Sequence, residues 1–393
     1  MTKFAVISDL HIGKSAKGAD LIPGGAPLPP KPFLRQFEEF CETTGQSAEF
    51  LLIPGDLTDS ATPEECELAI SVIERISKAL SVKNNRVITI PGNHDADWRI
   101  QKSGEHDLYF QLRYQPLINA KGCNPALCSD PYFNTIEFDD VAILAINSSS
   151  EDRHDSSPHN GALATGSIAK FRSATSTWKG DRRIKICVLH HHPIQYPEVA
   201  EYWTDYSILS NSADLMKYLT DFEFDFVVHG HKHKPCFAVH TELGAVMLPI
   251  LCAGSFSKTL PTPYDANVAN QFHMLEVDGR DTATGNIYGK IVSWAYCGAA
   301  GWKPSMNESH GIHHFTPFGK YKNRNIITNT IESILKKEAA SKPHIKVEEI
   351  CDMFDFLKYQ PTDILKSVIE DVCLRNSFEI HGSRLDKAVI LLK

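Results

Sequence analysis

The chain of 393 residues exceeds one ordinary compact domain, so two domains, or one large domain with an appendage, are expected. At 42% hydrophobic, 22% charged and 9% aromatic residues, the composition excludes wholesale disorder, collagen-like and coiled-coil classes. A net charge of −8 argues against non-specific coating of nucleic acid, which depends on cations set against phosphates, and the unusual feature is 18 histidines against six methionines.

The runs Phe4–Ile7, Phe50–Ile53, Val87–Ile90, Val141–Ile146, Ile184–Leu189, Phe224–Val228 and Val246–Cys252 are short and apolar, which predicts buried strands. Helical patterns fall between them. In the clearest, Thr62 suits the N-cap, Pro63 the first helical position, and Glu65 completes a capping box ahead of Cys66, Ile70, Ile73, Ile76 and Leu80. Strands alternating with helices predict an α/β fold with buried sheets, whose ligands collect beyond the carboxyl ends of the strands. Two stretches, 101–132 and 148–166, are too long for simple connections and read either as rims over a site or as surface excursions.

Tyr288–Tyr296 reads as a closing strand. Residues 298–325 lack periodicity, and helical spacing resumes at Ile326, Ile331 and Ile334, at Val347, Ile350 and Met353, and at Ile364, Val368 and Val372, with Thr362 as a cap for the last helix. A hairpin around Gly382 follows. Three helices and a two-stranded ribbon are the order of a winged-helix module. The expected division is therefore a catalytic domain over 1–300, a linker over 301–325 and a winged-helix-like module over 326–393. From Lys320 onward there are 13 Lys+Arg against 11 Asp+Glu, a basic bias too small to argue for DNA binding over protein contact or packing.

The ten cysteines are scattered without a Cys-x-x-Cys pair, as suits core thiols in a reducing compartment; Cys123 and Cys128 are the closest pair, at most half of a zinc site. No apolar run reaches the ~18–20 residues of a membrane span. The first residues read as a strand rather than a signal peptide, so a cytoplasmic location without membrane partners is expected.

Five polar clusters follow five of the strands: Asp9-Leu10-His11, Gly55-Asp56-Leu57-Thr58-Asp59, Gly92-Asn93-His94-Asp95, His190-His191-His192-Pro193 and Gly230-His231-Lys232-His233. Each alone is weak, and their ordered recurrence is strong. Carboxylates and imidazoles together suit two borderline divalent ions (Mn, Fe or Zn), with a carboxylate bridging them. Such a pair clamps a phosphate ester and lowers the pKa of a bridging water so that hydroxide is available near neutrality. No P-loop and no Gly-x-Ser-x-Gly elbow is present.

Over roughly Met1–Val277 these motifs resemble the calcineurin-like metallophosphoesterase superfamily. The resemblance implies a four-layer α/β/β/α sandwich with a dimetal centre at the carboxyl ends of the sheets. It implies Asp9 and His11 as ligands of the first metal, joined by His233. Asp56 would bridge, and Asn93, His191 and His231 would hold the second metal. His94 would approach the leaving-group oxygen, oriented by Asp95, while Asp59 would hydrogen-bond a ligand imidazole. His190 and His192 would stand behind the ligands. Arg99 and Arg153 are candidates for phosphate contacts. His106, His154 and His159 in the long loops, and His310, His313 and His314 in the linker, read more simply as solvated residues.

Leu189–Pro193, Ser8–His11 and the 147–166 loop look most like the bacterial cyclic-nucleotide phosphodiesterase branch, which implies cyclic nucleotides or other small phosphodiesters as substrates. The segment 320–393 departs from that branch. A DNA nuclease similar to double-strand-break-repair exonucleases is the alternative, favoured by Asp9-Leu10-His11-Ile12-Gly13 and by a tail suited to nucleic acid. A Ser/Thr phosphoprotein phosphatase is third. A different class of reading makes the chain a regulator, with the metal domain sensing a nucleotide.

Overall fold

The computed structural model describes residues 1–25, 32–96, 132–152, 160–196, 207–242, 246–260, 268–305, 311–382 and 385–392. Arg99, Arg153, His106, His154, His159, His310, Cys123 and Cys128 lie outside them. The eight described cysteines are free thiols, and no described helix is long and apolar enough to cross a membrane.

The chain divides into two compact units, residues 2–275 with 293–314, and residues 276–292 with 315–393. In the first, strands β1 (Thr2–Val6), β2 (Phe50–Pro54) and β3 (Val87–Ile90) run parallel, with helix α1 (Phe33–Thr44) following β1 and α2 (Pro63–Ala79) following β2. The capping box is present: Thr62 accepts from the Glu65 N–H, and Glu65 accepts from the Thr62 N–H. A second sheet contains β4 (Phe133–Glu137), β5 (Val141–Ile146), β6 (Ile184–Val188), β7 (Phe226–His229), β8 (Cys236–Glu242) and β9 (Val246–Cys252) in the order β4-β5-β6-β7-β9-β8. Its central four strands are parallel and its edges antiparallel. Helices α3 (Ser167–Ala174) and α4 (Ser212–Asp221) accompany it.

All seven apolar runs form strands because almost every residue in them is buried, which suits parallel sheets covered on both faces. Phe4 stacks on Phe50 across β1 and β2, and Phe33, Phe37 and Phe40 of α1 pack with Phe256, Phe272, Trp294 and Trp302. Behind the second sheet, Leu144, Cys187 and Leu189 share a core with Phe171, Trp178 and Tyr218.

The first sheet continues from β1 through β10 (Gln271–Arg280) and β11 (Ile287–Tyr296) to β12 (Trp302–Pro304), with β13 (Phe315–Phe318) also paired to β11. This corrects the expected division. Residues 301–325 are not a linker, since β12 and β13 fall there and both pair with β11.

The second unit contains α5 (Arg324–Ala339), β14 (His344–Lys346), α6 (Val347–Met353), α7 (Thr362–Asn376), β15 (Glu379–His381) and β16 (Val389–Leu391). Its sheet runs β14-β16-β15, one strand more than the expected ribbon. Ile327, Ile331, Leu335, Ile345, Val368, Val372 and Ile390 form its own core. Asn323 caps α5 by accepting from the Ile326 N–H. Thr362 does not cap α7: Pro361 occupies that position without a side-chain hydrogen bond, and Thr362 begins the helix.

Candidate metal centre

The carboxyl ends of β1, β2, β3, β6 and β7 deliver the five polar clusters to one place. Asp9 N–H donates to the Gly55 carbonyl (3.1 Å) and His11 N–H to the Asp56 carbonyl (3.0 Å), which laces the first loop to the second. Asp9 in turn accepts from the His231 N–H (3.1 and 3.2 Å). The backbone is held in an uncommon form: Asp9, His11, Asp56, His231 and His233 have φ of 52°, 46°, 52°, 71° and 55°. Left-handed conformations cost energy at non-glycine residues, and five at one site mark a place where geometry is fixed for chemistry.

Two groups of donor atoms converge there. One contains Asp9, His11, Asp56 and His233, and the other contains Asp56, His190 and His231. Asp56 belongs to both, with Oδ2 3.3 Å from His11 Nε2 and Oδ1 3.4 Å from His190 Nε2. Asn93 Oδ1 lies 3.1 Å from His190 Nε2 and 3.0 Å from His231 Nδ1. Paired ring nitrogens face each other at 3.1 Å, His11 with His233 and His190 with His231.

This donor set fits divalent cations. Burial would push the Asp56 carboxyl up, but His190, His94 and His11 outweigh it and hold the group well below the usual carboxylate range. Asp9 is lowered in the same way, burial being outweighed by His233 and His190. These buried carboxylates require positive charge. Burial disfavours a charged His190, yet Asp56 and Asp9 raise it to about 9; burial lowers His233 to about 4. Cations among these donors would displace protons from His11 and His190, since imidazole ligates in its neutral form.

The ring nitrogen that joins Asp56 and His231 belongs to His190, one residue before the expected His191. Strand alternation explains the difference. Cys187 and Leu189 face the core behind the sheet, so Ile186, Val188 and His190 face the other way. There His190 Nδ1–H donates to the Pro54 carbonyl (2.8 Å), which turns Nε2 toward Asp56 as the atom a cation would take in place of its proton. His191 packs beside Ser148, whose Oγ accepts from the His190 and His191 N–H groups (3.3 and 3.0 Å) and lies 3.0 Å from His191 Nδ1. Counting from the strand rather than back from Pro193 finds His190. His190→Ala is expected to lose one metal equivalent on elemental analysis and His191→Ala to keep both; the reverse result would return the ligand position to His191.

Asp95 does not orient His94. Its carboxylate accepts from the Leu57, Thr58 and Gly92 N–H groups (3.1, 2.8 and 2.8 Å) and so ties the second loop to the third. The Asp59 carbonyl holds His94 instead, 2.9 Å from Nδ1. Asp59 Oδ1 is 3.6 Å from His11 Nδ1 and accepts from Ser15 Oγ, and these two neighbours outweigh burial to lower the carboxyl to about 2. His11, Asp59 and His94 form a third convergent group. Gly92 is required by close approach: a Cβ there would collide with Asp56. The loop from Ser148 is not a surface excursion at its start, since Ser148, Ser149, Ser150 and Asp152 are buried.

The model of the calcineurin-like phosphoesterase family matches residues 2–235, more than half of the chain. The chain belongs to the calcineurin-like phosphoesterase family. All five motifs lie within the matched residues. A search of curated proteins found no match. Among solved structures, the chain is similar to a dimetal phosphatase from Danio rerio, 12% identical, covering 74% of this chain and 95% of that one with a TM-score of 0.45. It is also similar to the zinc complex of Vps29 from Entamoeba histolytica, 13% identical, covering 76% and 94% with a TM-score of 0.32. Likenesses at these values bear on neither substrate nor partner. The family membership and the converging donors together identify a metal-dependent phosphoesterase.

Proposed function

We propose that the chain is a phosphodiesterase for small phosphodiesters, cyclic nucleotides among them, with Asp9, His11, Asp56 and His233 holding one divalent ion and Asp56, Asn93, His190 and His231 the other. The observation that carries this reading is that two donor groups share the Asp56 carboxylate. When bound, such ions supply Lewis acidity toward a phosphoryl group.

The protein's own groups do the rest. Pro54 fixes the tautomer of His190, and Asp59 fixes that of His94. With Nδ1–H committed to the Asp59 carbonyl, His94 handles its exchangeable proton at Nε2, the atom left to meet a leaving-group oxygen. The fourth motif, Leu189–Pro193, and the 147–166 loop leading into α3 support the cyclic-nucleotide branch over a nuclease.

The same reading takes the first unit as the four-layer sandwich of the family and the helix and strand order of the second as winged-helix-like. A protein-contact or packing role for the latter is supported by α7, whose outer face carries Asp363, Glu370 and Asp371 against Lys366 and Arg375.

A panel run at defined metal content tests the substrate: cyclic nucleotides, linear dinucleotides, single- and double-stranded DNA, and a phosphopeptide. The highest kcat/KM is expected for the small diesters. Turnover of DNA or phosphopeptide with none of the small diesters would overturn the reading.

A further inference from the structure

The loop that carries His231 and His233 runs from the end of β7 to the start of β8 and crosses the end of β9, which lies between those two strands. Cys252, the last residue of β9, pairs in register with His229 of β7 on one side and with Cys236 of β8 on the other. The crossing is tight: a Cβ at Gly254 would collide with Pro235. Beneath it, the Cys252 sulfur lies 3.2 Å from the Lys234 carbonyl oxygen and 3.8 Å from that of Gly230. Its S–H therefore serves the backbone on either side of His231-Lys232-His233.

Residues directly opposite in an antiparallel pair point to the same face, with Cα atoms about 4.5–5.5 Å apart, and a disulfide spans about 4.4–6.8 Å. Leu248 and Ile250 face the core behind the second sheet, so Cys252 faces that way too, and Cys236 with it. Neither thiol belongs to the donor groups of the centre. Cys252 is fully buried, whereas Cys236 is half-buried and so open to a small oxidant.

We propose that Cys236 and Cys252 form a reversible cross-strand disulfide that loosens the loop of His231 and His233 and so weakens metal retention. The oxidant is a low-molecular-weight disulfide such as oxidised glutathione. The Cys236 thiolate, its proton lost to solvent, attacks one sulfur, and a glutathione thiolate leaves. Cys252 then gives up its proton and attacks the Cys236 sulfur of the mixed disulfide, and the second glutathione leaves. Two protein thiols are oxidised, and one glutathione disulfide is reduced to two thiols. In the product Cys252 has no S–H, so the Lys234 and Gly230 carbonyls lose that donor. The linkage itself is independent of the reading of the centre; only its effect on metal rests on that reading.

The test holds the metal-loaded full-length protein in glutathione buffers from reducing to oxidising, then alkylates it in denaturant and maps its peptides by mass. A linked Cys236–Cys252 peptide is expected at the oxidising end, reverting with a phosphine reductant. Release of metal to a chelator should then be about fivefold faster, the size of one lost hydrogen bond. Cys236→Ala cannot form the bridge and keeps the Cys252 S–H, so its metal release should match reduced wild type in every buffer. Alkylation of both cysteines across the whole range would overturn the proposal. So would linkage with unchanged metal release, or an oxidant response that persists in Cys236→Ala. A linked peptide in a protein that takes up no metal when reduced would overturn the reading of the centre, and with it the effect on retention.

Discussion

Replacing Asp56 with Asn is expected to remove at least one of the two metal equivalents and to lower phosphodiester turnover by about 10³-fold or more. Asp56 is the shared member of both donor groups, and its two oxygens face His11 and His190 separately. An amide keeps the shape and one acceptor but forfeits the negative charge, and its NH2 would point at one of the imidazole nitrogens. The fold should tolerate the change: Oδ1 also accepts the His94 N–H (2.9 Å), a bond that the amide oxygen can keep, and a buried charge is removed. Elemental analysis beside turnover checks the expectation, with circular dichroism to verify folding. Two retained ions and a wild-type rate would sink the assignment of Asp56 as the bridge.

Much of the fold was legible in the sequence because burial dictated it locally. The seven apolar runs had no way to bury themselves except as covered strands, and Thr62-Pro63-Glu64-Glu65 carries a capping pattern that works within one helical turn. The five motifs were legible because each follows its strand directly. What escaped depended on distant partners. That His190, and not the expected His191, meets Asp56 and His231 is set by strand parity and by the Pro54 carbonyl, 136 positions away in the chain. Asp95 stands next to His94 in sequence, yet its carboxylate turns to the backbone of Leu57 and Thr58, while His94 finds Asp59 across the site. Residues 301–325 lack periodicity because β12 and β13 are only three and four residues long and draw their order from β11.

His94→Ala separates proton handling from metal binding. His94 shares a loop with Asn93, but its ring nitrogens are engaged differently: Nδ1 meets the Asp59 carbonyl, and the ring stands edge-on to His11 at a centroid distance of 4.6 Å. Loss of the imidazole is therefore expected to leave metal content at the wild-type value while lowering kcat by about 10²–10⁴-fold. The size of the loss should depend on the leaving group. p-Nitrophenolate departs as an anion near neutrality and needs little help, so bis(p-nitrophenyl) phosphate should show the smaller defect. A ribose oxygen departs as a poor alkoxide unless it is protonated, so a 3′,5′-cyclic nucleotide should show the larger one. Equal losses on both substrates would mean that His94 orients the phosphoryl group rather than assisting the leaving oxygen, and wild-type rates on both would remove it from the mechanism. His94→Gln sharpens the distinction: it can still offer a hydrogen bond to an oxygen but cannot carry a titrating proton. Recovery by Gln on the aryl ester alone is the pattern expected of a proton donor.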